Sequence, residues 1–172
     1  MENLKKTFTT GKTSLNCGGK LLSLDSPIVM GIINVTPDSF YDGGISFSPV
    51  KAAKQARQMW EEGASILDIG GQSSKPGVEQ IIAKEELNRV IPVIKTIKKE
   101  IPEAILSIDT FYAQVAKEAV LAGANIINDI SAGEMDKNMI DTVAELQVPY
   151  FLMHKKGSSK TMQDNPEYSN VM

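Results

Sequence analysis

Five short apolar runs, each closed by a polar side chain and each separated from the next by a helical stretch, constrain this chain more than anything else in it. The runs are Ile28–Ile33, Ser65–Ile69, Ala104–Ile108, Asn125–Ile127 and Pro149–Met153. Their interiors are almost continuously apolar rather than alternating. That is the pattern of strands covered on both faces, as in a parallel sheet. The intervening stretches have helical spacing. Ser48-Pro49 is an N-cap followed by proline at the first helical position. Val50, Ala53, Met59 and Trp60 then share one side, and Gly63 can end the helix in the left-handed conformation. The second helix has Leu87, Val90, Ile91, Ile94 and Ile97 at helical spacing, with Pro92 inside it. That proline is expected to kink or divide the helix, at a cost of about 3 kcal/mol if nothing compensates. A third helix is expected to begin at Thr110 as cap, to bury Val115, Ala116, Ala119 and Val120, and to end at Gly123. A fourth has Met139, Ile140, Val143 and Leu146 on one face.

Glu62-Gly-Ala-Ser-Ile-Leu-Asp-Ile and Ala122-Gly-Ala-Asn-Ile-Ile-Asn-Asp echo each other as helix end, tight turn, strand and polar tip. Repeats of this kind specify an α/β fold, a parallel sheet covered by helices. Right-handed crossovers leave two closures, an open doubly wound sheet or an eight-stranded barrel. No strand runs into GxGxxG or GxxxxGK[ST], so the nucleotide-binding versions lack their signatures and the (β/α)8 TIM barrel is favoured. A barrel needs eight strand-helix units, typically ~250 residues. The 172 residues supply five strands and about four helices. The chain is therefore read as one barrel domain over residues 1–172, cut short at the C-terminus of a longer protein. The alternative is a half-barrel closed by a second chain. Before the first long strand, residues 13–24 read as a hairpin turning at Asn16–Gly19 that covers one end of the sheet.

Composition narrows the function classes. The chain is 42% hydrophobic and 23% charged, with net charge −3 and scattered Lys and Arg, so no nucleic-acid or basic membrane face is indicated. A single cysteine, Cys17, in a turn excludes an internal disulfide and fits a reducing cytoplasm. The N-terminus has no apolar h-region, and no apolar run reaches the ~18 residues of a membrane span.

The polar residues closing the strands are Asn34, Asp68, Asp109, Asn128 with Asp129, and His154. In a parallel sheet all C-terminal ends lie on one side, so these groups converge; in a barrel that side is the catalytic face. One such Asp is often just the next helix's cap, but five polar tips together point to a site. Two carboxylates and two amides, without a Cys/His metal set, suit a polar heterocycle. A carboxylate can accept two parallel N–H bonds from a 2-amino-pyrimidinone edge, with an amide donating and accepting beside it. Asn34 offers a hard oxygen for Mg²⁺ shared with phosphate and water. After that strand tip come Pro37, Asp38, Phe40 and Gly43-Gly44, the punctuation of a ligand loop. Gly70-Gly-Gln-Ser-Ser-Lys-Pro-Gly77 is rich in backbone N–H, hydroxyls and one Lys, a plausible anion cradle or a plain surface turn. His154 reads as a structural hydrogen-bond partner, since no nucleophile is evident for it to activate.

These motifs resemble dihydropteroate synthase of the pterin-binding TIM-barrel family. The resemblance rests on Gly31–Gly44, Leu67–Gly77, Ser107–Thr110, Ile126–Ile130, Leu152-Met-His154 and Thr161-Met-Gln163, and runs from about residue 13 to the end. It implies a transferase of folate biosynthesis that joins 6-hydroxymethyl-7,8-dihydropterin diphosphate to p-aminobenzoate. It implies a pterin pocket of Asp109, Asn128 and Asp68, with Ile130 and Met153 as apolar walls. It also implies Mg²⁺ at Asn34, Ser74 and Lys75 on the diphosphate, and Phe40 and Pro76 framing the p-aminobenzoate. A homodimer of the full-length protein and competition by sulfonamides are implied too. The family commonly has Thr-Arg where Ser74-Lys75 stand; Lys keeps the charge but loses bidentate phosphate geometry. The family's later-strand groups have no counterpart in these 172 residues, so this stretch alone is expected not to turn over. Two other readings share the pocket. One is a corrinoid-linked, pterin-dependent methyltransferase of the same barrel family. The other is a non-catalytic, truncated pterin-binding protein.

Overall fold

The computed structural model describes residues 14–36, 48–72, 80–157 and 167–170. A two-stranded antiparallel hairpin comes first, β1 (Ser14–Cys17) and β2 (Lys20–Ser23), turning through Gly18 and Gly19 with φ of +64° and +88°. Five parallel strands follow: β3 (Met30–Asn34), β4 (Ile66–Gly70), β5 (Leu106–Asp109), β6 (Ile126–Asp129) and β7 (Tyr150–Leu152). Helices α1 (Pro49–Glu61), α2 (Ala83–Glu100), α3 (Ala113–Ala122) and α4 (Met139–Leu146) alternate with them. The strand order is β3-β4-β5-β6-β7, strictly sequential. A doubly wound sheet reverses its order at a switch point; this one does not. The helices instead form a row on one face, α1 against α2, α2 against α3, α3 against α4. That is the wall of a (β/α)8 barrel, of which these are five strands and four helices.

The period of two along each strand divides the side chains between two cores. Ile33, Ile69, Ile108 and Ile127 face outward and are buried under the helices with Val90, Ile94, Ile97, Val115 and Ala119. On the concave side, at the N-terminal ends of the strands, Ile66, Ile105 and Ile126 pack with Cys17 and Leu22 of the hairpin. The hairpin thus plugs the bottom of the barrel, as its position in the sequence led one to expect. Asn125 fastens it: its amide donates to the Cys17 carbonyl at 3.2 Å, and its carbonyl accepts from Leu106 N–H at 3.1 Å.

The helix ends follow the sequence in part. Ser48 caps α1, accepting from Lys51 N–H, with Pro49 in the first turn, and Gly63 closes it at φ +106°. Ala52, Ala53 and Ala56 form the buried stripe of α1, with Met59 and Trp60 packed against the same core as expected, while Val50 alone of the expected face is 66% exposed. Pro92 does not divide α2, which runs unbroken through it. Val90, Val93, Ile94 and Ile97 on that helix are fully buried. At roughly 1.5–3 kcal/mol each they outweigh the proline's penalty several-fold. Asn88, whose carbonyl loses its partner at Pro92, lies on the exposed side, where water can take the place of the lost bond. Thr110 is not the cap of α3. Tyr112 occupies that position, and Thr110 is drawn away into a buried contact with α2. No helix among the described residues is long and apolar enough to cross a membrane.

Candidate functional site

The registers of the five strands place one residue from each in a row across the C-terminal rim: Asn34, Gly70, Asp109, Asn128 and Phe151. One layer deeper lie Ile32, Asp68, Ser107 and Ile126. Paired residues in a parallel sheet share a face, and so do residues i and i+2. Asn34, Asp68, Ser107, Asp109 and Asn128 therefore converge on the concave side. Asp68 does not end its strand, because β4 continues through Ile69 and Gly70. It stands at the floor of the site, 3% exposed.

Asn128 reaches across to this floor, its amide donating to Asp68 Oδ2 at 3.1 Å. Asp68 Oδ1 and Ser107 Oγ are buried without a well-formed hydrogen bond. Burial pushes the Asp68 carboxyl above the usual range, opposed by Ser107 beside it and by the Asn128 bond. Asp109, one layer up, is pushed to about 7, first by burial and then by the charges of Asp68, Glu86 and Asp129. Gly70 separates it from Asn34. A Cβ built there would lie 3.5 Å from Asp109 Oδ2 and 3.7 Å from Asn34 Oδ1. The missing side chain leaves a notch between the two oxygens.

Such a concentration of carboxylates is unfavourable by itself and suits a ligand rich in N–H donors, or a cation. Among the described residues no cluster of three or more His, Cys, Asp and Glu could hold a metal. Asn34 nonetheless presents an exposed amide oxygen at the rim beside the Gly70 notch. One hard oxygen, completed by phosphate and water, is the donor set Mg²⁺ uses when it travels with a substrate phosphate. The residues fit an ion of that kind, and do not fit an all-protein metal cage.

Asp129 takes no part in this convergence. Its carboxylate turns to the other side, accepting from Ser131 N–H at 2.7 Å, Gly133 N–H at 2.8 Å and the Tyr150 hydroxyl at 2.7 Å. It builds the turn after β6, where Ala132 and Gly133 have φ of +56° and +81°. Ile130, half-buried on this turn, and Met153, half-buried just past β7, stand at the rim. A cavity of about 280 Å³ beside them is lined by Phe111, Ile130, Ser131, Met135 and Lys155. It does not include Asp68, Asp109 or Asn128. His154 is exposed and its ring packs 5.6 Å from that of Tyr168. Phe40, Ser74, Lys75 and Pro76 lie outside the described residues, as do Pro37, Asp38 and the Gly43-Gly44 pair.

One residue of the site's surroundings escaped the sequence reading. Glu86 is fully buried in the first turn of α2. Its Oε2 accepts from Gln72 Nε2 at 3.0 Å and from the Thr110 hydroxyl at 3.2 Å. Burial pushes it to about 7, against those two bonds and the positive charge of Arg89. An acid in a first helical turn is ordinary, which hides it. The signal was its place four residues before Val90, on the helix's buried stripe.

A family model described as "Pterin binding enzyme" matches residues 30–172. The mitochondrial folate synthesis bifunctional protein of Pisum sativum is 53% identical over 149 residues, 84% of this chain and 29% of that protein. Dihydropteroate synthase of Escherichia coli K12 is 44% identical over 153 residues, 89% of this chain and 54% of that enzyme. The solved dihydropteroate synthase of Xanthomonas albilineans with 4-aminobenzoic acid superposes with TM-score 0.79 at 44% identity, covering 93% of this chain and 55% of that one. The chain thus spans about half the length of these synthases. Sequential barrel topology, a polar concave rim and a family match over most of its length agree: the chain belongs to the pterin binding enzyme family.

Proposed function

We propose that the full-length protein is a dihydropteroate synthase, joining 6-hydroxymethyl-7,8-dihydropterin diphosphate to p-aminobenzoate. The observation that carries this reading is the Asp68–Asn128–Asp109 constellation on the concave face, with its buried and incompletely bonded oxygens. The similarity to synthases of known name supports it. Asp109, ionised, accepts the paired N–H groups of the aminopyrimidinone edge, and Asn128, held by Asp68, donates and accepts beside it. Each loses free energy when a ligand lacks the matching group, which makes the pocket selective. Ile130 and Met153 cover the faces of the pterin. Asn34 would hold Mg²⁺ at the diphosphate, Ser74 and Lys75 would be further phosphate partners, and Phe40 and Pro76 would frame the p-aminobenzoate. When bound, the ion neutralises charge on the leaving diphosphate.

The chemistry asks little covalent work of the chain. The reduced pterin donates electron density as its exocyclic C–O bond breaks and diphosphate leaves. The neutral aniline nitrogen forms the new C–N bond and then loses a proton. The protein orients the two partners and limits the access of competing water. The full-length protein is further expected to be a cytoplasmic homodimer and to be inhibited by sulfonamides competing with p-aminobenzoate. The direct test is formation of dihydropteroate by the full-length protein from the two substrates with Mg²⁺. Absence of product under conditions where the Escherichia coli enzyme turns over would refute the assignment.

A further inference from the structure

Glu86 belongs to α2, yet among the described residues its carboxylate accepts from side chains at the tips of the two neighbouring strands. Oε2 receives Gln72, on the segment leaving β4, and Thr110, the residue immediately after Asp109. Gly71 makes this approach possible. A Cβ there would lie 2.7 Å from Glu86 Cγ and 2.9 Å from Val90 Cγ1, too close for any side chain. Arg89, three residues further along α2, donates to the Gly71 carbonyl at 3.0 Å and pairs with Glu85. The first two turns of α2 therefore grip the strand tips at three points: Arg89 holds the Gly71 carbonyl, and Glu86 holds the Gln72 amide and the Thr110 hydroxyl. Thr110 is pinned again from its own side, accepting from Tyr112 N–H at 3.2 Å. A fully buried carboxylate is a costly way to fill a helix–sheet interface that aliphatic side chains would fill well. Retaining one makes sense if the acceptor geometry itself is needed.

We infer that Glu86 is a positioning residue: through Thr110 and Gln72 it sets where Asp109 and the tip of β4 stand on the concave rim. It touches no ligand itself. The inference rests on the pterin-site reading above, and deepens it by naming what holds the site's principal carboxylate in place.

The test uses the full-length protein, titrated calorimetrically with 6-hydroxymethylpterin, which lacks the diphosphate. Glu86→Ala is expected to weaken binding about tenfold. Glu86→Gln keeps an acceptor oxygen for both donors and is expected to bind within about threefold of the parent. Thr110→Val should reproduce most of the loss. The double variant Glu86→Ala/Thr110→Val should bind no worse than Glu86→Ala alone, because both changes break one link. Should Glu86→Ala not fold, Thr110→Val decides alone: parent-like pterin binding by that variant overturns the inference. Parent-like binding by both Glu86→Ala and Thr110→Val overturns the inference, as does Glu86→Gln binding as weakly as Glu86→Ala. Fully additive losses in the double variant overturn it too. A parent protein that binds no pterin refutes instead the reading of the site, and the inference falls with it.

Discussion

Replacing Asp109 by Asn separates stability from function at this site. Asp109 is half-buried, and burial together with the charges of Asp68, Glu86 and Asp129 lifts it from the ordinary 3.8 to about 7. A carboxyl whose folded value lies above its unfolded value binds more protons folded than unfolded. Stability therefore falls as pH rises through that window, from about 4 to about 7, and is flat above it. The shift is roughly 3 units, and at about 1.36 kcal/mol per unit the ionised group costs the ligand-free protein at most about 4 kcal/mol. Asn has nearly the same shape and no charge. Asp109→Asn should accordingly stabilise the ligand-free, full-length protein at pH 8 by about 2–4 kcal/mol, with the gain shrinking towards zero near pH 4. Pterin binding moves the opposite way. The amide presents a donor where the ligand has donors, so affinity should fall by about 100-fold or more. Urea denaturation of both proteins at several pH values, with calorimetric titration of 6-hydroxymethylpterin, measures both effects. A variant no more stable than the parent at pH 8, or equally stabilised at pH 4 and pH 8, would show that the carboxylates do not crowd one another as described.

Three further substitutions probe the same geometry in the full-length protein. Gly70→Ala puts a methyl group in the notch at ordinary contact distance from Asp109 and Asn34; the fold should be unharmed in urea denaturation while pterin affinity drops about tenfold. Asn34→Ala should raise the Mg²⁺ concentration for half-maximal dihydropteroate formation by about tenfold, with pterin binding in the absence of Mg²⁺ changed less than threefold. Asp129→Ala strips the acceptor from Ser131 N–H, Gly133 N–H and the Tyr150 hydroxyl; a loss of about 3 kcal/mol or more of stability is expected from three stranded donors, read as a lowered denaturation midpoint.

The strands were legible because their signal is local and redundant. An apolar run, a polar tip and a Gly-Ala turn recur, and each recurrence supports the others. The choice of barrel over doubly wound sheet rested on missing nucleotide motifs; the sequential strand order supplies the positive reason. What the sequence could not convey was depth. Asp68 and Asp109 look alike as acids closing apolar runs, yet one is the floor and the other the rim, because β4 extends through two more residues. Asp129 sits beside Asn128 in sequence and faces the opposite way, as period two demands. Thr110 reads as a helix cap by local rules, but a buried carboxylate 24 residues earlier competes for its hydroxyl and wins. At Thr110 a long-range polar partner overruled local propensity.

That pattern bears on how the site is built. A ligand edge with several N–H groups needs acceptors held together before it arrives, and acceptors held together repel. Among the described residues the hydrogen bonds to these carboxylates come from uncharged groups: Asn128 on Asp68, Thr110 and Gln72 on Glu86, backbone N–H and Tyr150 on Asp129. Arg89, three residues along from Glu86, is directed to Glu85 and the Gly71 carbonyl. A guanidinium placed among Asp68, Asp109 and Asn128 would relieve the repulsion but would also occupy the acceptors the ligand requires. Neutral donors fix each carboxylate's orientation and leave part of its charge uncompensated. The elevated protonation range of Asp109 is the physical trace of that choice, and it is what a ligand presenting N–H donors to the carboxylate would relieve.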